Sequence, residues 1–277
     1  MEHGGDVLLY RRFGQPGGLR NALVRLACQQ QGQDVALALG PQWINGFMNY
    51  YVRDRNATYT YDPRAIVSAG EGTDGLQTAL NQYAGQGYRW LGNVLPSVAQ
   101  GDPMMLFEKD ASSVSYQYVV TPVPAGDLVA ALNARGTDGY LLRSMAFAFG
   151  TSMVSGFEKS NTGAKYVYEA VDPATSEDSQ GARGFVRMGS ISTSVGWRTI
   201  YVRDTTQNAT FTWSFERQPT SHAALLEQFN AKGAQGWKYM HPDAREAGTY
   251  AAQAAYARSS NCSGVLCGSG PLWILTP

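Results

Sequence analysis

The sequence predicts an α+β protein built from five tandem copies of a strand–helix–strand–strand unit, and three observations lead to this prediction. A nine-residue motif occurs as LNQYAGQGY at 80–88, LNARGTDGY at 132–140 and FNAKGAQGW at 229–237. A weaker copy, SQGARGFVRMG at 179–189, lies between the last two, and intervals of roughly 50 residues are typical of repeat proteins. Alternating apolar residues precede each copy, and an aromatic residue followed two positions later by a basic residue closes each unit.

The first element of each unit is a strand. Its aromatic residues alternate with other residues, which is the pattern of a strand with one buried face. The pairs are Tyr59 and Tyr61, Tyr116 and Tyr118, Tyr166 and Tyr168, and Phe211 and Trp213, with Leu8 and Tyr10 in the first unit.

A short helix is predicted next. Leu76, Leu80 and Tyr83 lie at i, i+4 and i+7, and Leu128 with Leu132 and Leu225 with Phe229 repeat the spacing. Residues able to cap a helix precede the first apolar turn. These predicted N-caps are Asp74, Asp127 and Ser221.

The glycines of the motif predict where each helix ends. Gly136 and Gly233 follow the last predicted helical turn, where a left-handed C′ residue favours glycine, and Gly85 does so one residue later. A second glycine then turns the chain toward the next strand, which a closing aromatic residue begins. The second glycines are Gly87, Gly139, Gly184 and Gly236, and the closing aromatics are Tyr88, Tyr140, Phe185 and Trp237.

The second and third strands of each unit are joined by loops with the Pro and Gly content of hairpin tips, and the third strand ends in a base. Two interpretations of these bases are open: a row that binds an anion, or strand-end charges that keep an edge soluble. The formal net charge of 0 favours the second interpretation. The bases are Arg53, Lys109, Lys159, Arg203 and Arg258.

These elements divide the chain into five predicted repeats and a tail. The helices lie on one face of antiparallel sheets, and five such units could be arranged in a closed ring. The predicted repeats are 6–54, 57–110, 113–160, 164–204 and 208–259, followed by a C-terminal tail at 260–277.

The motifs LNARGTDGY and FNAKGAQGW, each followed by a strand ending in a base as in FEK, resemble the small bacterial domain of unknown function 4177 family. The resemblance is best in units two, three and five, partial in unit four and poor in unit one. In that bacterial family these motifs mark the fold. The family has no agreed activity, so the resemblance implies no particular activity. Five α/β units in a ring would also be similar to the pentein-type propeller, which hosts both cysteine hydrolases and a non-catalytic ribosome-binding factor. Similarity of arrangement does not transfer function.

The fourth unit departs from the pattern. EAVDPATSEDSQGARG at 169–184 has a proline and no leucine pair, so its helix is predicted to be shortened or lost. A sheet without its helix would expose apolar surface, which usually marks an interface. Phe185, Met188 and Ile191 are the predicted interface residues, covered by a partner and by the apolar tail GPLWILTP. The alternative is that this segment folds as a short helix or loop and covers itself.

Two cysteines, Cys262 and Cys267, flank a short Gly/Ser-rich loop and are predicted to form a disulfide, which would indicate an oxidising compartment. Free thiols are the alternative, and a metal site is disfavoured because no second pair or nearby histidine completes it. Cys267 is also the residue on which a catalytic hypothesis would rest. Cys28, among apolar neighbours, is predicted to be a buried filler.

Composition narrows the class of protein. Zero net charge gives no positive field for nucleic acid. The charged fraction of 16% is below the average of roughly 25% and favours an extracytoplasmic protein. The start of the chain lacks the regions of a signal peptide. Because the low charged fraction and the predicted disulfide both favour an oxidising compartment, we expect a periplasmic or secreted protein whose signal has been removed. A cytoplasmic protein is the alternative. No apolar run approaches the roughly 18 residues of a membrane helix, so membrane insertion is not expected.

Metal and cofactor sites are not predicted. His3, His222 and His241 are scattered without ligand spacing. GEGTDG at 70–75 matches a dinucleotide pattern, but the acidic residue that should follow after about 20 residues is missing.

The sequence therefore favours a non-enzymatic binding or interaction module, such as an inhibitor, an immunity-type protein or an envelope partner, with another protein as its partner. No catalytic residue is assigned. The alternatives are a cysteine-dependent hydrolase of the pentein type centred on Cys267, and a self-assembling structural protein that forms homo-oligomers.

Overall fold

The computed structural model describes residues 7–10, 34–39, 49–52, 59–65, 72–94, 104–123, 126–149, 152–193, 196–243 and 253–268. These residues form fifteen strands and five helices. The strands are β1 Val7–Tyr10, β2 Asp34–Leu39, β3 Asn49–Val52, β4 Thr60–Ala65, β5 Arg89–Val94, β6 Met104–Lys109, β7 Tyr116–Pro122, β8 Tyr140–Phe149, β9 Ser152–Ser160, β10 Tyr166–Val171, β11 Val186–Thr193, β12 Gly196–Asp204, β13 Thr210–Arg217, β14 Lys238–Asp243 and β15 Gln253–Ser260. The helices are α1 Gly72–Gly85, α2 Leu128–Thr137, α3 Glu177–Ala182, α4 His222–Ala234 and α5 Val265–Gly268.

Among the described residues the strands pair into five small sheets of three strands, each formed by consecutive strands of the chain. The last strand of each trio lies in the middle, giving the orders β1-β3-β2, β4-β6-β5, β7-β9-β8, β10-β12-β11 and β13-β15-β14. The pairings whose register is described are antiparallel. The predicted α+β class with antiparallel sheets is therefore confirmed, whereas the number of repeats and a closed, pentein-like ring stay predictions.

A register shift occurs in the second strand of each of the five sheets, and in four of them it inserts a single residue. The register shifts between Trp90 and Gly92, between Leu142 and Ser144, between Arg187 and Gly189, and between Tyr239 and His241. An extra residue in one strand is a β-bulge, which bends the strand and redirects side chains.

The chain forms two compact units. One comprises Thr60–Thr210, Asn261–Leu266 and Leu272–Pro277. In this unit α1 packs on β7 and α2 packs on β10, so each of these helices contacts the first strand of the sheet that follows it in the chain. A core of Leu76, Leu80, Trp90, Phe107 and Tyr118 lies between α1 and the strands β5, β6 and β7.

The other unit comprises Met1–Tyr59, Phe211–Ser260 and Cys267–Pro271. Here α4 lies against its own sheet, where Phe229 contacts Tyr239 and Tyr256 with ring centroids 4.8 and 6.3 Å apart. The same helix contacts β1, the first described strand of the chain.

The predicted helix starts are correct at two of three positions. Asp127 caps α2 by accepting from the Ala130 amide at 3.1 Å, and Ser221 caps α4 by accepting from the Ala224 amide at 3.3 Å. The prediction for Asp74 is wrong, because α1 begins at Gly72 and Asp74 lies in its first turn. A carboxylate there still interacts favourably with the helix dipole.

The fourth predicted repeat contains the short helix α3, which has six residues. The helix of this segment is therefore short, as both interpretations of the segment allowed. Inside it, Gln180 is buried and its carbonyl accepts from the Phe185 amide at 3.0 Å.

Candidate functional site

The nine-residue motif is a helix stop of the Schellman type. In the first copy the Gly87 amide donates to the Ala84 carbonyl at 2.9 Å and the Tyr88 amide donates to the Tyr83 carbonyl at 3.1 Å. This pair of bonds places the glycine at C′ in the left-handed region. The second glycine of each copy has φ between 80° and 87°, namely Gly87, Gly139, Gly184 and Gly236.

The prediction that Gly136 and Gly233 are the left-handed residues is wrong. Both lie inside their helices, which continue to Thr137 and Ala234, and neither has a positive φ. Gly136 is instead required by a close approach, because a Cβ there would lie far inside van der Waals contact with the carbonyl oxygen of Tyr166. Gly85, at the end of α1, has open space around its Cα and so has no such role.

The closing basic residues lie over the closing aromatic rings of their own repeats. The Nζ of Lys109 is 5.6 Å from the Tyr88 ring, and the Nζ of Lys159 is 5.4 Å from the Tyr140 ring. Arg203 over Phe185 and Arg258 over Trp237 repeat the arrangement at 5.1 and 4.9 Å. These are cation–π distances, so each of these four bases forms part of its own repeat. Lys109 also donates to the Gln86 carbonyl at 2.7 Å, near the end of α1. Arg53, the fifth predicted base, lies outside the described residues.

The asparagine of the motif joins consecutive repeats. The side chain of Asn81 on α1 donates to the Tyr118 carbonyl at 2.9 Å and accepts from the Tyr118 amide at 2.7 Å. Asn133 on α2 makes the same two bonds with Tyr168, at 3.1 and 2.7 Å. The amide thereby satisfies both backbone groups of one residue at a strand edge, as a neighbouring strand would do.

The tyrosines at these positions extend the joint into the core. The hydroxyl of Tyr118 accepts from the Trp90 amide at 2.7 Å, beside the bulge of β5, and donates to Oε2 of Glu158 at 3.0 Å. The hydroxyl of Tyr168 accepts from the Leu142 amide at 2.8 Å, beside the bulge of β8.

A buried charged cluster lies at this joint and is the candidate functional site. Nε of Arg89 donates to both carboxylate oxygens of Glu158, at 3.0 and 3.1 Å. Nη1 of Arg89 is 3.8 Å from Glu108, and Nε of Arg143 is 3.7 Å from Glu158. Both arginine side chains are less than one tenth exposed and Glu158 is 2% exposed. We call Arg89, Glu108, Arg143 and Glu158 the charged cluster.

The cluster stabilises its charged forms. Burial alone would raise the pKa of Glu158, but the charges of Arg89 and Arg143 and the bonds from Arg89 and Tyr118 lower it. Burial alone would lower the pKa of Arg89, yet the charge and hydrogen bonds of Glu158 raise it. Burial and the charge of Glu158 raise the pKa of Tyr118 well above its ordinary value. An ionised carboxylate and a neutral phenol with such shifts are poorly matched to proton transfer near neutral pH.

Several donors of the cluster have no acceptor among the described residues. They are Nη2 of Arg89 and both Nε and Nη1 of Arg143. Arg143 occupies the bulge of β8, so the bulge directs its guanidinium group toward Glu158. No group of three or more histidine, cysteine or carboxylate side chains in the described segments is placed to hold a metal ion.

The predicted interface residues do not form an exposed patch. Phe185 is 1% exposed and Met188 is 3% exposed, both within the core, and Ile191 is partly buried. The helix α3 contacts β11, and the prediction that a partner and the tail cover part of this surface stays a prediction. The tail segment 271–277, predicted to help cover them, lies outside the described residues.

The C-terminal cysteines form the predicted disulfide. Cys262 is bonded to Cys267 across a loop that includes α5. Gln207 anchors this loop, since its side chain accepts from the Ser263 amide at 2.8 Å and donates to the Ser263 carbonyl at 3.0 Å. Cys28 and Arg53 belong to the part of the chain that the structure does not describe.

The most exposed large apolar side chain of the described residues is Trp197, at 56%. It lies in the hairpin of β11 and β12, paired with Ser192, and its carbonyl accepts from Nη1 of Arg198 at 2.9 Å.

The helices of the described segments include none long and apolar enough to cross a membrane.

Comparisons of the chain with protein-family models, with curated proteins and with solved structures gave no match. The geometry above is therefore the basis for assigning a function.

Sequence reasoning missed the charged cluster. A signal was present, because FEK at 107–109 and again at 157–159 places a glutamate one residue before each closing base. Alternation along a strand puts Glu108 and Glu158 on the face opposite Lys109 and Lys159. Nothing in the sequence indicated that Arg89 and Arg143 would meet the same carboxylate.

Proposed function

We propose that the protein is a non-enzymatic binding module whose partner is another protein and whose contact surface includes Trp197. The observation that carries this proposal is the exposure of that indole on the hairpin of β11 and β12. Tryptophan is among the residues most enriched where interfaces derive their binding energy.

The hydrolase alternative is less well supported. A thiolate is the nucleophile in cysteine catalysis, and Cys267 is bonded to Cys262. The charged cluster also holds its groups in forms unsuited to proton transfer near neutral pH.

The same proposal includes three further points: resemblance to the domain of unknown function 4177 family, a bacterial source, and a periplasmic or secreted location. The disulfide supports a location outside the cytoplasm. An inhibitor, an immunity-type protein and an envelope partner would all act by such binding.

The proposal includes five repeats closed on themselves in a ring. Its support is the way helices contact later strands: α1 packs on β7 and α2 on β10, while α4 of the last predicted repeat contacts β1 of the first. A closed array leaves no end strand without a helix.

Photo-crosslinking tests the binding proposal. A photoreactive residue at position 197 should give a discrete adduct with one other protein in extracts of the producing cells. The same residue at the exposed position of Ala174 is the matched control. An adduct consisting of two copies of this chain would favour the self-assembly alternative, and equal labelling from both positions would contradict the proposal.

A further inference from the structure

The turn between β12 and β13 carries a short motif that can accept a sugar chain. Asn208, Ala209 and Thr210 form the sequence Asn-Ala-Thr there. An asparagine followed two positions later by threonine, with no proline between them, is the acceptor pattern for N-linked glycosylation. Asparagine is also common in turns for reasons of backbone structure, and the structure distinguishes these two explanations.

The turn does not depend on the side chain of Asn208. Turns favour asparagine because its side chain bonds to a nearby backbone amide or because it tolerates a positive φ. Among the described residues Asn261 is the one non-glycine residue with positive φ, and the Asn208 side chain makes no hydrogen bond with any of them. Asp204 shapes the turn instead, because its carboxylate accepts from the Thr206 amide at 2.9 Å and from Nε2 of Gln207 at 3.0 Å.

Both functional side chains of the motif are open to solvent. Asn208 and Thr210 are exposed, whereas Ala209 between them is 9% exposed. This alternation is that of an extended segment, and it places the amide and the hydroxyl on the same side of the chain. Thr205 and Thr206, earlier in the turn, are exposed as well. A bulky sugar chain therefore has room beside the turn.

The motif is adjacent to the disulfide loop. Gln207, the residue before Asn208, bonds to Ser263 of the loop that Cys262 and Cys267 close. N-linked sugars belong to surface loops of secreted proteins, and disulfides persist in the same oxidising compartments. The inference rests on the location outside the cytoplasm that is part of the proposed function.

We propose that Asn208 is a site of N-linked glycosylation. The donor is an oligosaccharide carried on a polyisoprenoid pyrophosphate, and a transferase of the producing cell joins it to the protein. A bond forms between Nδ2 of Asn208 and C1 of the first sugar, and the bond between C1 and the pyrophosphate oxygen breaks. The pyrophosphate leaves with the electron pair of that bond, Nδ2 loses one proton to a base, and nothing is oxidised or reduced. The sugar chain covers the β12–β13 turn and makes this surface more soluble.

Mass spectrometry of tryptic peptides tests this site in the protein purified from its producing cells. Cleavage after Arg203 and Arg217 isolates residues 204–217, which contain this motif alone. The second Asn-Ala-Thr sequence, at 56–58, falls in the separate peptide 56–64. The peptide 204–217 should carry a series of sugar masses, and its fragments should place them on Asn208.

Variants of the motif separate glycosylation from other modifications. Thr210→Val keeps the shape of the side chain without its hydroxyl and should abolish the modification, as should Asn208→Gln. Thr210→Ser keeps the hydroxyl and should retain the modification. Both positions are exposed, so folding should not change.

An unmodified peptide 204–217, or a modification that persists in Thr210→Val, would overturn the proposal. The same spectra report the state of Cys262 and Cys267. Joined cysteines beside an unmodified Asn208 would contradict this site alone, whereas reduced cysteines beside it would also contradict the proposed location. Crosslinking from position 197 tests the binding function independently.

Discussion

Two glycines of the motif, three residues apart, serve different purposes. Gly139 mainly supplies a backbone conformation, since its φ of 87° lies where a side chain is strained, although a Cβ there would also come within 2.9 Å of the Ala164 carbonyl oxygen. Gly136 supplies space, because α2 lies directly against the backbone of Tyr166. Both are needed for α2 to end where it does while packing on β10.

Alanine at these positions should therefore be destabilising for two reasons. We expect Gly139→Ala to lower the free energy of unfolding by roughly 1–3 kcal/mol through backbone strain. Gly136→Ala should lower it further, because the carbonyl of Tyr166 has to move. Urea unfolding measures both. Gly85→Ala is the control and should be neutral or stabilising by up to about 1 kcal/mol, since its Cβ meets nothing. A stable Gly136→Ala variant would mean that the close approach is not a constraint.

Glu158 makes stability depend on acid pH. Its pKa is lowered in the folded state, so its contribution is present above the unfolded value of about 4.3 and is lost as pH falls through the folded value. Glu158→Gln should lower the free energy of unfolding at neutral pH by roughly 3–5 kcal/mol, because two arginines lose their carboxylate. It should also remove part of the acid dependence.

Denaturant unfolding from pH 3 to pH 7 checks this prediction. Glu227→Gln, on the exposed side of α4, is the matched control and should change little at either pH. An acid dependence of Glu158→Gln identical to that of the natural protein would show that another carboxylate is responsible.

At the scale of elements, the side-chain amide of Asn133 bonds to a strand edge of the next predicted repeat, where a neighbouring strand would otherwise pair. Asn133→Ala removes both hydrogen bonds to Tyr168 and leaves a backbone amide and a carbonyl without partners. We expect a loss of roughly 1–3 kcal/mol and faster hydrogen exchange at the Tyr168 amide.

The same experiment can be carried out at Asn81 on the preceding helix, α1, with its neighbour Gln82 as the control. Asn81→Ala should act like Asn133→Ala, whereas Gln82→Ala, which changes the exposed residue beside Asn81, should leave stability nearly unchanged. Unchanged exchange at Tyr118 in Asn81→Ala would argue against a joint made by the amide.

The disulfide predicts how many cysteines react with a thiol reagent. Of the three cysteines in the chain, unfolded but unreduced protein should label one with a thiol reagent, since Cys262 and Cys267 are joined. Cys28→Ser should then label none. Changing both loop cysteines to serine should cost about 2 kcal/mol, because the closed loop is short. Three labelled thiols before reduction would contradict the pairing.

For the molecule as a whole, the parts that the sequence could predict are those set by local rules. The period of the motif, the alternation of Tyr116 and Tyr118 and the caps Asp127 and Ser221 all reflect neighbouring residues. The wrong predictions depended on distant contacts. Gly136, for example, is constrained by the backbone of Tyr166, which belongs to the next sheet along the chain. Arg143 lies next to Glu158 because of a β-bulge in β8, and no local sequence pattern indicates that bulge.

Closure of the array, which we propose, can be tested with the third asparagine of the motif. Asn230 on α4 occupies the place that Asn81 and Asn133 occupy on α1 and α2, and α4 contacts β1. In a closed array Asn230 bonds to the edge of the first repeat, so Asn230→Ala should destabilise the protein about as much as Asn133→Ala, by roughly 1–3 kcal/mol. If the side chain of Asn230 bonds only within its own repeat, the change should cost less than Asn133→Ala. Urea unfolding of the two variants, with Ala231 changed to serine on the exposed side of α4 as the control, decides between them, and a silent Asn230→Ala beside a costly Asn133→Ala would exclude the ring.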